Sequence, residues 1–428
     1  MYREALEELI QWKKSSRRKP MVLIGARQTG KTWLMEEFGK TYYEVAFVFN
    51  FDKEPEYASV FKADKKPVEI IKKLGMLAGK KILPEKHLII FDEIQQCPEA
   101  LNSLKYFYED ANEYHIIVAG SLLGTYLSDE YAFPVGKVNL LKIYPMTFSE
   151  FLKEVDSSMY EYRNLLTADS SIEEVFHNKL LNLYHEYLVV GGMPECVKSW
   201  SEDKDIAEVG HIQDELSILY EHDITKHNKK INAAKILLVY RNIVGQLAKE
   251  NKKFIYGAMK PGARAREYED AIEWLVSAGI VYRIYNAKKA IHPLSAYDEL
   301  SSFKLYMMDT GLLKKRASVS NKAILLNKDF SFKGALVENY VLQQTIQIYD
   351  DVPRYHSTSA RGELDFVVQD GMEILPIEVK AGTSLGATSL SNFIQKNNIQ
   401  KAIKFSENPL KRNEVVINAP LYMAGLKL

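Results

Sequence analysis

Apolar residues in the first third of the chain fall into short continuous runs, MVLI (21–24), HLIIF (87–91) and HIIVA (115–119), separated by segments with helical spacing. Runs of that kind, alternating with helices, predict an α/β fold with a parallel sheet covered on both faces. TYYEVAFVFNFD (41–52) and KVNLLKIYPM (137–146) read as two further strands of it. The pattern then changes. EEVFHNKLLNLYHEYLVV (173–190) repeats its apolar residues every three or four positions, as a helix does, until GGMPE (191–195) breaks it. Two further helical stretches follow, AAKILLVYRNIVGQLAKE (233–250) and EYEDAIEWLVSAGIVYRIYN (267–286), the second running into a strand. AIHPLSAYDELSSFKLYMMD (290–309) supplies a return strand, so the order is that of a winged-helix module. Near the end LDFVV (364–368) and MEILPIEVK (372–380) flank Asp370-Gly371, a strong two-residue hairpin signal. The expected organisation is therefore 1–155, an α/β core; 156–235, a helical lid; 236–326, a winged-helix-like domain; and 327–428, a C-terminal α/β domain.

Composition narrows the setting without choosing a function. The 428 residues carry 56 basic and 56 acidic side chains, a net charge of +0, so global charge does not announce a nucleic-acid or membrane partner. Cys97 and Cys196 are the only cysteines and stand far apart, which points to a reducing, cytoplasmic setting. No run approaches ~18 uninterrupted apolar residues, so no membrane helix is expected. Local basic clusters, KHNKK (226–230), KENKK (249–253) and KPGARAR (260–266), could meet phosphates or form a solvated docking surface.

The chemistry begins after the first strand. Gly25, Gly30, Lys31 and Thr32 match G-x-x-x-x-G-K-[ST] between a strand and a helix, the setting that motif requires. Glycines let backbone N–H groups curl around phosphates, and the helix N-terminus adds partial positive charge. Gly25, Ala26, Arg27, Gln28, Thr29, Gly30, Lys31, Thr32 and Trp33 are thus the expected ATP-binding residues. Lys31 would reach the β- and γ-phosphates and Thr32 would ligate Mg²⁺. HLIIFDEIQQCP (87–98) ends an apolar strand in two acids. Asp92 would hold Mg²⁺, and Glu93 would polarise the attacking water. Ser121, at the tip of the strand HIIVAG, would sense the γ-phosphate.

Together GARQTGKT, FDEIQQCP, VAGSLLG and YPMTFSEFL resemble the prokaryotic AAA+-related ATPases whose loop reads GARQ-x-GKT. YLVVGGMPECV (187–197) and KLYMMDTGLL (304–313) resemble further stretches of that group, so the likeness runs along essentially the whole chain. It departs at one place. The group carries a Gly-Arg pair where this chain has Gly136-Lys137, and no arginine lies between Arg27 and Arg163. If that arginine is a finger, a lysine replaces a planar fork by a point charge. ATP binding is then expected with slow hydrolysis.

The C-terminal hairpin carries a second constellation. Pairing across an Asp370-Gly371 turn would set position 365 against 376, placing Asp365 diagonal to Glu378 on one face, with Lys380 beside it. Like charges on neighbouring strands repel and call for something positive between them. This resembles the PD-(D/E)xK nuclease core, read as Asp365…Glu378-Val379-Lys380, with Glu338 on the preceding helix FKGALVENYVLQQTIQIY (332–349). The resemblance implies that Asp365 and Glu378 hold Mg²⁺ and that Glu338 and Lys380 complete a catalytic set. Two functions follow as expectations. One is a Mg²⁺-dependent ATPase coupled to a nuclease-like or nucleic-acid-binding domain, with DNA the expected polymer. The alternative is an ATP-driven switch whose nuclease-like domain does not cut and whose partner is a protein or a second copy of the chain.

Overall fold

The computed structural model describes all residues except 121–122, 127–133, 135, 227, 229, 350, 359–361, 385 and 387. The chain forms two compact units. One comprises Arg3–Tyr144 with Ser277–Gly279, and the other Met1–Tyr2, Pro145–Val276 and Ile280–Leu428.

In the first unit β1 (Met21–Ile24), β2 (Val45–Asn50), β3 (His87–Asp92), β4 (His115–Ala119) and β5 (Asn139–Lys142) make a sheet of order β2-β3-β4-β1-β5. Every pairing in it is parallel. The continuous apolar runs are explained by burial on both faces. In β3, Ile89 and Phe91 enter one core with Val22, Ile116 and Val118, while Leu88 and Ile90 enter the other with Leu23, Ile117 and Ala119. Each such side chain contributes roughly 1.5–3 kcal/mol on full burial. The sheet therefore fixes where its C-terminal ends lie, and β1 and β3 end at the P-loop and the Asp92-Glu93 pair.

The second unit holds helices Glu174–Val190, Pro194–Asp203, Ile206–Lys226, Lys230–Leu247, Ala265–Ser277 and Lys333–Thr345. Its strands are β6 (Val281–Ala287), β7 (Asp298–Met307), β8 (Arg354–Thr358), β9 (Gly362–Asp370), β10 (Glu373–Val379), β11 (Ala402–Ser406), β12 (Lys411–Arg412) and β13 (Val416–Pro420). They run in the order β12-β13-β11-β10-β9-β8-β6-β7. The β6–β7 hairpin joins the C-terminal strands through the Asn286–Tyr355 pair. The boundaries expected at 235/236 and 326/327 thus fall inside one compact unit, and its sheet runs across the second of them.

A buried polar spine explains why two glycine-bearing fragments stand where they do. The Asp309 carboxylate accepts N–H bonds from Gly192 (2.6 Å) and Leu312 (2.9 Å). Gln343 Oε1 accepts from the N–H and hydroxyl of Thr310 (2.9 and 2.8 Å). Asn339 Oδ1 accepts from the Met307 N–H at 2.9 Å. Gly191 has φ +77°, and a Cβ there would lie 2.5 Å from Asp309 Oδ1. GGMP and MDTG therefore meet on the helix that carries Glu338.

Candidate functional sites

The nucleotide site is built on β1 and the helix Lys31–Tyr42. Gly25 has φ +145°, and a Cβ there would lie 2.1 Å from the Ile143 carbonyl oxygen, so no larger residue fits. Thr29 is fully buried, its hydroxyl donating to the Ala26 carbonyl (2.9 Å). Gln28 is exposed with φ +59°, and Arg27 is half-buried. Trp33 packs, partly buried, against the core of Leu9, Leu34 and Phe38. The Lys31 ammonium folds back onto the carbonyls of Gly25 (2.9 Å) and Ala26 (2.6 Å). Burial brings it down to about 8, against the opposing pull of Glu93 and Asp92. A phosphate arriving at the loop meets a cation ready to leave two neutral acceptors for a charged one.

Asp92 is 5 % exposed and joins the loop to β2 and β3. Its carboxylate accepts from the Thr32 hydroxyl (3.2 Å), the Asn50 amide (3.0 Å) and the Glu93 N–H (3.1 Å). Burial, then the Glu93 charge, raises its pKa. A buried carboxylate held up in this way, with a hydroxyl beside it, fits a divalent cation. Glu93 stands in the left-handed region (φ +50°), and the Gln95 amide donates to its carboxylate. Ser121 lies outside the described residues. Lys137 precedes β5, at the end of the sheet opposite the P-loop, and pairs at 2.8 Å with Glu109.

Sequence reasoning missed Arg3. Its guanidinium, 3 % exposed, donates to the carbonyls of Thr29 (2.6 Å) and Tyr144 (2.7 Å), fixing the P-loop from behind. Only its place three residues into a polar N-terminal stretch could have signalled it, and that is no signal.

The second site lies on the β9–β10 hairpin. Its turn is Gly371-Met372, since Asp370 pairs with Glu373 and Phe366 with Ile377. The register expected from an Asp370-Gly371 turn is therefore wrong by two residues. Continuing the observed register by one step sets Asp365 opposite Glu378, not diagonal to it. Asp365 accepts from the Val379 N–H at 2.8 Å. Lys380 donates to Glu378 Oε1 at 2.6 Å. Glu378 is 4 % exposed, and its Oε2 is buried with no hydrogen-bond partner. Glu338, on its helix, accepts from the Tyr306 hydroxyl (3.1 Å) and from Lys252 (2.6 Å).

Burial raises the pKa of Asp365, and the charges of Glu338 and Glu378 raise it further. Burial raises that of Glu378 too, against the pull of Lys380. The structure thus brings all four sequence-expected residues together. It adds Lys304, fully buried on β7, which pairs with Glu363 at 2.6 Å and holds down Asp365. Among the described residues no group of three or more His, Cys, Asp or Glu side chains is arranged as a metal site. Opposed across the hairpin, Asp365 and Glu378, the latter with an orphaned oxygen, still fit one hard cation held by two carboxylates. No helix among the described residues is long and apolar enough to cross a membrane.

Three family descriptions match successive parts of the chain. Residues 17–152 match an AAA domain, 181–323 a domain of unknown function (DUF8612), and 333–422 another (DUF4143). No curated protein matches the chain. Among solved structures, the Walker-type ATPase PABY2304 of Pyrococcus abyssi is 15% identical, over 73% of this chain and 95% of its own, with TM-score 0.45. ORC1 of Aeropyrum pernix, solved in complex with DNA, is 12% identical over 74% and 93%, with TM-score 0.27. AMPPCP-bound DnaA of Aquifex aeolicus is 14% identical over 65% and 87%, with TM-score 0.26. At these scores none of the three bears on mechanism. The matched domain and the P-loop geometry agree: residues 17–152 are a P-loop ATPase domain of the AAA type.

Proposed function

We propose that this protein is a Mg²⁺-dependent ATPase whose second unit cleaves phosphodiesters of a nucleic acid, DNA in the first instance. The observation that carries the reading is the opposition of Asp365 and Glu378 across the hairpin, with one Glu378 carboxylate oxygen buried and unpartnered and Lys380 on the other. Two buried like charges facing each other are costly unless a cation sits with them.

In the first unit Lys31 and the loop N–H groups would hold the ATP phosphates. Thr32 and Asp92 would hold Mg²⁺, and Glu93, fixed by Gln95, would orient the attacking water. Lys137, which stands where the resembled group has its arginine, lies at the end of the sheet away from the P-loop and is tied to Glu109, so slow turnover is expected.

In the second unit Asp365 and Glu378, with Glu338 nearby, would hold Mg²⁺ or Mn²⁺. Such a cation supplies Lewis-acid polarisation and a more acidic water when bound. Lys380, half-buried beside Glu378, would neutralise the scissile phosphate or orient the nucleophile. The basic clusters at 226–230, 249–253 and 260–266 would offer phosphate contacts.

The test is cleavage of labelled single- and double-stranded DNA and RNA in Mg²⁺ or Mn²⁺. Asp365→Asn and Glu378→Gln should abolish it, and cleavage unaffected by either substitution would sink the assignment. A second reading, an ATP-driven switch with a non-cutting second unit, draws on the charge balance of the site. Glu338, Glu363 and Glu378 each already hold a lysine at 2.6 Å.

A further inference from the structure

We propose that Gln95 is a positioning residue for ATP hydrolysis, wedged between Glu93 and Gly120 so that the tip of β4 sets the direction of the Glu93 carboxylate. This rests on reading the first unit as an ATPase with Glu93 at its water.

The chain leaves β3 through Glu93, at φ +50°, into a single 3₁₀ turn, Ile94–Gln96. The turn is pinned on both sides. The Gln96 N–H donates to the Glu93 carbonyl (3.0 Å) and the Cys97 N–H to the Ile94 carbonyl (2.9 Å). Ile94 and Cys97 are fully buried in one core of the sheet. Gln95 lies between these anchors and is 8% exposed, so its amide must find its partners inside the protein.

Only one end of that amide is satisfied. Gln95 Nε2 donates to Glu93 Oε2 at 2.5 Å. A carboxylate accepts and does not donate, so the end facing Glu93 has to be the nitrogen. Oε1 then points away, buried and without a hydrogen-bond partner. It lies against Gly120, where a Cβ would come 2.1 Å from Gln95 Oε1 and 2.9 Å from Leu123 Cγ. No side chain therefore fits at 120 while Gln95 holds Glu93. A buried carbonyl oxygen with no donor is destabilising, and packing alone would favour an apolar residue at 95. The chain keeps an amide there because its nitrogen holds Glu93.

The place of Gly120 in the sheet gives the wedge its consequence. β4 lies between β3 and β1. Ala119 pairs with Leu23, so Gly120 comes level with Ile24, just ahead of the P-loop. The tip of β4 thus borders both the phosphate loop and the acid pair. A general base works only when it is aimed at its water, and a glutamate side chain has several rotatable bonds by which to miss. Asp92 holds the Glu93 N–H, Gln95 holds its carboxylate, and Gly120 backs Gln95. Removing the amide leaves Lys31 and Thr32 in place for the phosphates, so the loss falls on turnover and not on binding.

The test is single-turnover hydrolysis of γ-labelled ATP with Mg²⁺ by the full-length protein, beside nucleotide affinity measured with mant-ATP. Gln95→Met keeps the length and removes the donor; it should slow hydrolysis about 10–100-fold, the usual cost of losing a group that orients a catalytic one, at wild-type affinity. In a Glu93→Gln background the same substitution should slow hydrolysis no further, because Gln95 acts through Glu93. Gly120→Ala should slow hydrolysis as Gln95→Met does, and adding it to Gln95→Ala, where the space is open, should slow it no further. Hydrolysis unchanged in Gln95→Met, slowed equally with and without Glu93, or lost in step with nucleotide affinity would overturn the positioning role and leave the ATPase standing. No hydrolysis by the wild type, or hydrolysis indifferent to Glu93→Gln, would remove that reading of Glu93 and the role of Gln95 with it.

Discussion

Replacing Lys31 by Met should stabilise the ATPase unit when no nucleotide is present. Lys31 is 7 % exposed, and its ammonium rests on two neutral carbonyls. Burial takes it from 10.5 to about 8. At ~1.4 kcal/mol per pH unit, holding that charge at pH 7 costs the folded state about 3 kcal/mol. Met keeps the apolar stem and removes the charge, so the variant should gain about 2–3 kcal/mol.

The pH dependence follows from the same displacement. Between about 8 and 10.5 the unfolded chain still holds the Lys31 proton while the folded chain has released it. The wild type therefore gains stability as pH rises through that window, and Lys31→Met does not. ATP closes the gap, because the charge then has a phosphate to meet. At a hundredfold excess over Kd, ligand adds about 2.7 kcal/mol to the wild type and nothing to a variant that cannot bind. Denaturant melts at pH 7 and pH 9.5, with and without ATP, read all of this. A variant less stable than wild type without nucleotide, or one stabilised by ATP to the same degree, would refute the reasoning.

Asp365→Asn should stabilise the metal-free protein at pH 7 and do little at pH 4. The raised carboxyl makes wild-type stability fall as pH climbs above the usual carboxylate range, and thermal melts in EDTA at the two pH values check this. Asp309→Ala should cost about 2–4 kcal/mol, because it strands the buried N–H groups of Gly192 and Leu312; urea denaturation measures it. Arg3→Gln should weaken ATP binding by about tenfold through a loosened P-loop, with Arg3→Lys intermediate, as read by titration calorimetry.

The sequence made the nucleotide site legible because its signals are local. A strand, a glycine turn, Lys31 and Thr32 are contiguous, and the Asp92-Glu93 pair ends an apolar strand whose direction the fold dictates. The second site was legible in membership but not in register. Asp365, Glu378 and Lys380 are near neighbours, and Glu338 sits on a recognisable helix, yet moving the turn from Asp370-Gly371 to Gly371-Met372 shifted the pairing by two positions. A turn's type depends on backbone angles that two residues' identities do not settle. Arg3, Lys252 and Lys304 were illegible for a third reason. Each meets its partner 26, 86 and 59 residues away in the chain, and nothing near them in sequence marks the encounter. The helix-and-hairpin order read as a winged helix likewise did not reveal that β6 and β7 would continue a sheet with the C-terminal strands.

Asp365 and Glu378 acting together on a phosphodiester are the heart of the proposed function. The direct measurement is the rate of Mn²⁺-dependent cleavage of a labelled nucleic acid by wild type, Lys31→Met and Glu378→Gln. Cleavage by wild type and by Lys31→Met, and none by Glu378→Gln, is the expected result. No cleavage by the wild type, or cleavage that survives Glu378→Gln, would contradict it.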